Sequence, residues 1–112
     1  MTAVAFSPDG RFVVGNIDDT ARVWEAASGR EVARLPHDGS VLAVAFSPDG
    51  RFVVSGSIDN TARVWEATSG REVARLTHDE DETAVAFSPD GRYVVSGSAD
   101  NTARVWDATS GR

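Results

Sequence analysis

One phrase occurs three times in this chain. AVAFSPDGR runs without a change from Ala3 to Arg11, from Ala43 to Arg51 and from Ala84 to Arg92. Trp24, Trp65 and Trp106 follow at intervals of 41 residues, and REVARL occurs at Arg30 to Leu35 and at Arg71 to Leu76. A fixed period of this size means stacked supersecondary units, because a unit so small cannot bury its apolar face alone and needs neighbours. The units divide as 1–35, 36–76 and 77–112. The first two AVAF copies lie only 40 residues apart, because FVVGNIDDT (Phe12 to Thr20) is one residue shorter than FVVSGSIDNT (Phe52 to Thr61). Identity this high reflects either recent duplication or deliberate construction.

Within a unit, short apolar runs alternate with strong turn signals, the pattern of antiparallel strands. Val41 to Phe46 is the first strand, a. In Ser47-Pro48-Asp49-Gly50, Pro is pre-set for the second turn position and Gly is free to take positive φ. Phe52 to Ser57 is strand b, rich in residues that suit a pleated surface. Asp59-Asn60 closes a tight connection into strand c, Thr61 to Trp65. Thr68-Ser69-Gly70 turns the chain into strand d, Glu72 to Leu76. No segment reads as a helix, so the fold class is all-β, with one four-stranded meander per unit.

Strand a shows how such a sheet is buried. Val44 and Phe46 point to one face, and Ala43 and Ala45 to the other. Neither face is charged, so both are covered, the bulky face of one sheet against the small face of the next. That places strand a innermost around an axis. Strands c and d carry Arg63, Arg75 and Glu72 among apolar residues, which predicts a position nearer the rim.

The stretch HDGSVLAVAFSPDGRFVVSGSIDNTARVWEATSG, His37 to Gly70, resembles the WD-repeat family of β-propellers, and the likeness extends over nearly the whole chain. Period, turn chemistry, Ser-Gly-Ser, the Asp before the turn and the Trp all fall in register. The departures are mild: Pro36 or Thr77 stands where Gly usually precedes His, and Glu25, Glu66 or Asp107 follows the Trp. The resemblance implies a scaffold, usually of seven or eight blades, that holds partner proteins and peptides. It also implies a structural tetrad in each blade. In the second blade this would be His37, Ser55 (or Ser57), Asp59 and Trp65. In the third it would be His78, Ser96 (or Ser98), Asp100 and Trp106, linked indole to hydroxyl to imidazole to carboxylate. The first blade has no preceding His, and its shortened strand b puts Asn16 in place of Ser57. Only Asp18 and Trp24 remain, so it should be the loosest blade.

Several residues invite sharper readings. His37, Ser55 and Asp59 form a Ser/His/Asp set of the hydrolase type, yet the set recurs in two blades with a Trp on each hydroxyl, which favours architecture over catalysis. His78-Asp79-Glu80-Asp81-Glu82 offers oxygen ligands to a divalent cation but lacks EF-hand spacing; a solvated loop is the plainer reading, and no metal or cofactor is expected. The Trp residues could be interface anchors, but their fixed place in strand c favours a structural role. Ligand contacts should sit where repeats differ. Variation concentrates in Asp38-Gly39-Ser40-Val41-Leu42 against Asp79-Glu80-Asp81-Glu82-Thr83, and in Ile17, Ile58 and Ala99, all in loops on one edge of the sheets. Neutral drift on exposed loops explains the same variation equally well.

Composition closes off other classes. The formal charge of −6 repels phosphate backbones and argues against nucleic acid as partner. Cysteine is absent, which excludes disulfides and thiolate sites. No apolar run approaches the roughly 20 residues of a membrane span, and Met1-Thr2-Ala3-Val4 does not open a secretory signal; the chain reads as cytoplasmic, without a membrane partner. The third unit reaches Gly111-Arg112 where the next REVARL would begin, so three a, b and c strands accompany only two d strands. Three blades cannot close a ring, and their two end faces are complementary. Head-to-tail self-association into a cyclic homo-oligomer is therefore expected. Six blades turn by about 60° each and nine by about 40°, against roughly 45–51° for the family's usual ring, which favours a trimer over a dimer. An unidentified protein or peptide partner, or self-assembly alone in a natural fragment or engineered unit, are the two functions that follow.

Overall fold

The computed structural model describes residues 3–17, 19–77, 81–99 and 101–109, with Glu82 and Thr83 described by backbone alone. It holds eleven strands among these residues: β1 (Val4–Phe6), β2 (Phe12–Ile17), β3 (Thr20–Glu25), β4 (Glu31–Pro36), β5 (Val41–Phe46), β6 (Phe52–Ser57), β7 (Thr61–Glu66), β8 (Glu72–Thr77), β9 (Glu82–Phe87), β10 (Tyr93–Ser98) and β11 (Ala103–Asp107). They form three antiparallel meanders, β1-β2-β3-β4, β5-β6-β7-β8 and β9-β10-β11. The described residues contain no helix long and apolar enough to cross a membrane.

The turns explain the register. Gly50 N–H donates to Ser47 O at 2.9 Å, and Gly50 sits at φ 74°, a conformation that costs glycine little. Ser47 Oγ donates to Asp49 Oδ1 at 2.6 Å and accepts from Phe52 N–H at 3.0 Å, so the side chains tie the turn shut. The same bonds join Ser7 to Asp9 and Phe12, and Ser88 to Asp90 and Tyr93. With both ends fixed, Phe46 pairs with Val53 and Ala45 with Val54.

The sheets stack as the faces of strand a require. β5 lies against β1 and β2 of the first sheet, and β9 lies against β5 and β6 of the second. Val44 and Phe46 pack with Val14, Val23 and Leu35 of the first sheet, while Ala45 joins Val54, Val64 and Leu76 against Val85, Phe87 and Val94 of the third. At the ends of the stack the same positions are open. Val4 and Phe6 are 63% and 67% exposed on the first sheet, and Val105 is 67% exposed on the third, where its repeat Val64 is 1%.

One expectation needs correcting. Arg63 does not lie towards the solvent at the rim: it is 5% exposed, and every residue of β7 from Thr61 to Trp65 is buried. Its guanidinium is neutralised by Asp59 at 3.1 Å and donates to Pro36 O at 3.2 Å. An alternating polar position in a strand therefore marks a buried ion pair here, because the partner carboxylate comes from the b–c turn.

Candidate functional site

Strands β6 and β7 and the loop before β5 converge on His37. Trp65 Nε1–H donates to Ser55 Oγ at 2.8 Å, and Ser55 Oγ lies 2.7 Å from His37 Nε2. His37 Nδ1 lies 3.0 Å from Asp59 Oδ2. With the carboxylate accepting from Nδ1–H, Nε2 accepts the serine proton and the chain of donors runs in one direction from indole to carboxylate. Burial lowers the His37 pKa, with the Asp59 hydrogen bond and charge offsetting part of that effect, so the ring is neutral at pH 7. For Asp59, burial works against ionisation. Hydrogen bonds from Thr61, the Asp38 N–H and His37 overcome it and hold the pKa at about 2. An ionised Asp59 thus anchors His37, Thr61, Asp38 and Arg63 together.

This is the order of a hydrolytic triad without its access. Ser55 is 0% exposed, and its oxygen is already occupied by the indole. A nucleophile needs a lone pair aimed at a reachable carbonyl, and the Ser55 hydroxyl is turned into the sheet stack. Of the two serines considered, Ser55 makes the tetrad; Ser57 instead donates to Gly39 O at 2.9 Å and accepts from Asp59 N–H at 3.1 Å, closing the neighbouring turn.

In the third sheet Trp106 Nε1–H donates to Ser96 Oγ at 2.7 Å, while His78 and Asp100 lie outside the described residues. In the first sheet Asp18 also lies outside them. The pairing there revises the reading of Asn16. Gly15 stands opposite Arg22 as Ser55 stands opposite Arg63, and Asn16 stands opposite Ala21 as Gly56 stands opposite Ala62. Asn16 thus replaces Gly56, not Ser57, because the missing residue falls after the paired positions. Its buried side chain accepts from Ala3 N–H at 2.9 Å and donates to Val41 O of the second sheet at 2.6 Å. Nothing in the repeat pattern announced this bond between sheets.

The variable residues gather on one rim. Ile58 N–H donates to Ser40 O at 3.0 Å, and Ala99 N–H donates to Asp81 O at 3.0 Å, so the b–c turn and the loop before strand a are joined in both blades. Ile58 is 44% exposed and lies over Gly39, where a Cβ would meet its Cγ1 at 2.7 Å. The Asp38 side chain is 88% exposed beside them. Ile17 occupies the same turn of the first blade, and Leu42 sits in β5 at a bulge between Val41 and Ala43. Asp79 and Glu80 lie outside the described residues, and the Glu82 side chain is not described.

The opposite rim carries a feature the sequence reading passed over. Arg11, Arg51 and Arg92 lie over the rings of Phe12, Phe52 and Tyr93 at 5.3, 5.3 and 5.4 Å. The Arg after each turn and the aromatic residue after it were the available signal. The turns also step onto one another: a Cβ at Gly50 would lie 3.7 Å from Pro8, and one at Gly91 3.6 Å from Pro48.

Comparison with known proteins agrees with this architecture. The profile of the family described as "WD domain, G-beta repeat" matches residues 1–25, 29–66 and 70–107. No curated protein matches the chain. Among solved structures, the chain is similar to the computationally designed Ika4 protein, with 38% identity and a TM-score of 0.87 over 99% of this chain and 68% of that one. Three matched repeats, the antiparallel meanders stacked face to face and the assembled Trp65–Ser55–His37–Asp59 chain together place this protein in the WD-repeat family, as a stack of two four-stranded propeller blades and one of three strands.

Proposed function

We propose that the chain is a cytoplasmic, non-enzymatic interaction scaffold that stacks head to tail with copies of itself into a multi-chain propeller and presents the rim of Asp38, Ser40, Leu42, Ile58, Asp81 and Ala99 to a protein or peptide partner. One observation carries the assembly: each open end is a repeat of a face already buried inside the chain. Val54 and Val64 are 0% and 1% exposed where the third sheet covers them, and their repeats Val95 and Val105 are 40% and 67% exposed. A concavity of about 260 Å³ lined by Ala84, Ala86, Val95, Gly97 and Ala103 lies on that open face. Its counterpart on the second sheet packs against Val85 and Phe87, and the repeats of those two residues, Val4 and Phe6, are exposed at the other end of the chain. Two complementary ends make a heterologous contact, which closes a ring when the rotation allows. A trimer of nine blades needs the smaller departure from ordinary propeller rotation than a dimer of six.

Native mass spectrometry at micromolar concentration tests this reading. The expected species is three times the 11.9 kDa chain mass, and Phe6→Asp should release monomers by placing a charge at the junction. A folded wild-type monomer would end the assembly, and a dimer would reverse only the ring size. The non-enzymatic reading is tested with ester and peptide substrates: hydrolysis that disappears in Ser55→Ala would overturn it.

A further inference from the structure

The outer edge of β11 has no strand beside it among the described residues. In the two complete blades, strand d covers that edge in one register. Ala62 pairs with Leu76, Arg63 with Arg75, Val64 with Ala74, and Trp65 with Glu72 across a bulge. β3 and β4 pair in the same way, from Ala21 and Leu35 to Trp24 and Glu31. Ala103-Arg104-Val105-Trp106 repeats Ala62-Arg63-Val64-Trp65 residue for residue. The backbone template that binds strand d is therefore present in the third blade.

We infer that the β11 edge is a docking site for an extended segment of the pattern Glu-x-Ala-x-Leu, added in trans as an antiparallel fourth strand. Three features set the pattern. Leu35 and Leu76 are both 0% exposed, so the register opposite Ala103 takes a leucine. Val64 and Ala74 share a buried pair, so the register opposite Val105 takes a small residue. In each complete blade the strand-c arginine meets the first carboxylate of strand d, Arg22 with Glu31 at 3.6 Å and Arg63 with Glu72 at 3.8 Å. Arg104 is their repeat, and among the described residues it has no such carboxylate, so it selects an acidic residue at the start of the incoming strand.

The apolar wall over the incoming leucine comes from the next blade. Gly70 shows the contact: a Cβ there would lie 3.4 Å from Arg34 O and 3.7 Å from Leu35. At Gly29, the equivalent turn of the first blade, a Cβ would meet nothing within 4 Å. In that respect the inference rests on the head-to-tail reading, since the first blade of a second copy supplies the wall. The edge hydrogen bonds and the Arg104 pair do not depend on it.

The probe is a dye-labelled peptide Arg-Glu-Val-Ala-Arg-Leu-Thr, the sequence of Arg71 to Thr77, titrated with the full chain and followed by anisotropy, with native mass counting peptides per chain. Saturable binding of one peptide per chain is expected. Replacing its leucine by aspartate should weaken binding roughly tenfold to a hundredfold, from the lost burial of one large side chain. Arg104→Glu should weaken binding of the original peptide and be rescued by a peptide carrying Arg in place of its Glu. Equal binding of a scrambled peptide, or no saturable binding to the folded chain, would overturn the inference. So would a peptide-free dimer joined by two β11 edges that the peptide does not compete with. The peptide-free mass reports separately on assembly: a monomer that binds peptide ends the ring and keeps the docking site, and a ring that binds none does the reverse.

Discussion

Ser55→Ala removes one oxygen that serves two buried partners. The hydroxyl accepts from Trp65 Nε1–H at 2.8 Å and meets His37 Nε2 at 2.7 Å, with His37 6% and Trp65 3% exposed. After substitution the indole N–H and the imidazole nitrogen both lack a partner where water has little access. An unsatisfied buried group costs about 1–3 kcal/mol, so the pair should cost about 2–4 kcal/mol. A domain holds roughly 5–15 kcal/mol in total. Urea unfolding followed by tryptophan fluorescence measures the change. With a slope of about 1.5 kcal/mol per molar, the midpoint should fall by about 2 M. Trp65→Phe removes only the donor and leaves the Ser55–His37 bond, so it should cost less for the bond itself. The double variant should fall short of the sum of the single ones, since both break the same bond. A midpoint shift for Ser55→Ala below about 0.3 M, or strict additivity with Trp65→Phe, would refute the idea that the tetrad holds the blade together.

Acid should weaken the fold in two stages. Asp59 has its pKa lowered from 3.8 to about 2, so its contribution, about 2 kcal/mol, is present above pH 4 and lost as pH falls towards 2. His37, lowered from 6.5, adds stability that is complete above pH 6.5 and declines below it. Thermal melts of the wild type and Asp59→Asn across pH 2–8 should diverge least at the acid end; curves that stay parallel below pH 4 would contradict the assignment. Asn16→Ala should destabilise by about 1–3 kcal/mol, because it leaves Val41 O and Ala3 N–H without their side-chain partner; a change under about 0.5 kcal/mol in the same urea assay would show that water replaces both bonds. Amide exchange at Val13 should be faster than at Val53, since the first blade has Gly15 in place of the tetrad serine and a three-residue strand β1; equal protection at the two positions would count against a loose first blade.

The sequence made the strands and their order legible because the turn chemistry is explicit. Ser47-Pro48-Asp49-Gly50 names its own φ values, and the Val44/Ala45 alternation assigns two faces. The tetrad was legible only through its repetition: a lone Ser, His and Asp at these separations would have suggested catalysis as readily. Arg63 misled, because a strand position reveals which face a side chain takes but not whether a carboxylate from another loop will neutralise it there. Asn16 misled for a related reason. A deletion can be placed at several positions along a strand, and only the pairing of Gly15 with Arg22 shows where the chain absorbed it.

The side chain of Asn16 also gives the stack an address. In a string of near-identical units, a misdocked arrangement buries almost the same surface as the correct one, so the energy gap that favours one fold over its permutations is small. Glycine occupies the position of Asn16 in the other two units, opposite Ala62 and Ala103, and carries no side chain that could bridge to a neighbour. The bond from Asn16 to Val41 O therefore distinguishes one junction from the rest. It tells the folding chain which unit belongs first, and any ring built from these chains keeps the symmetry of its chain number and not of its blade number.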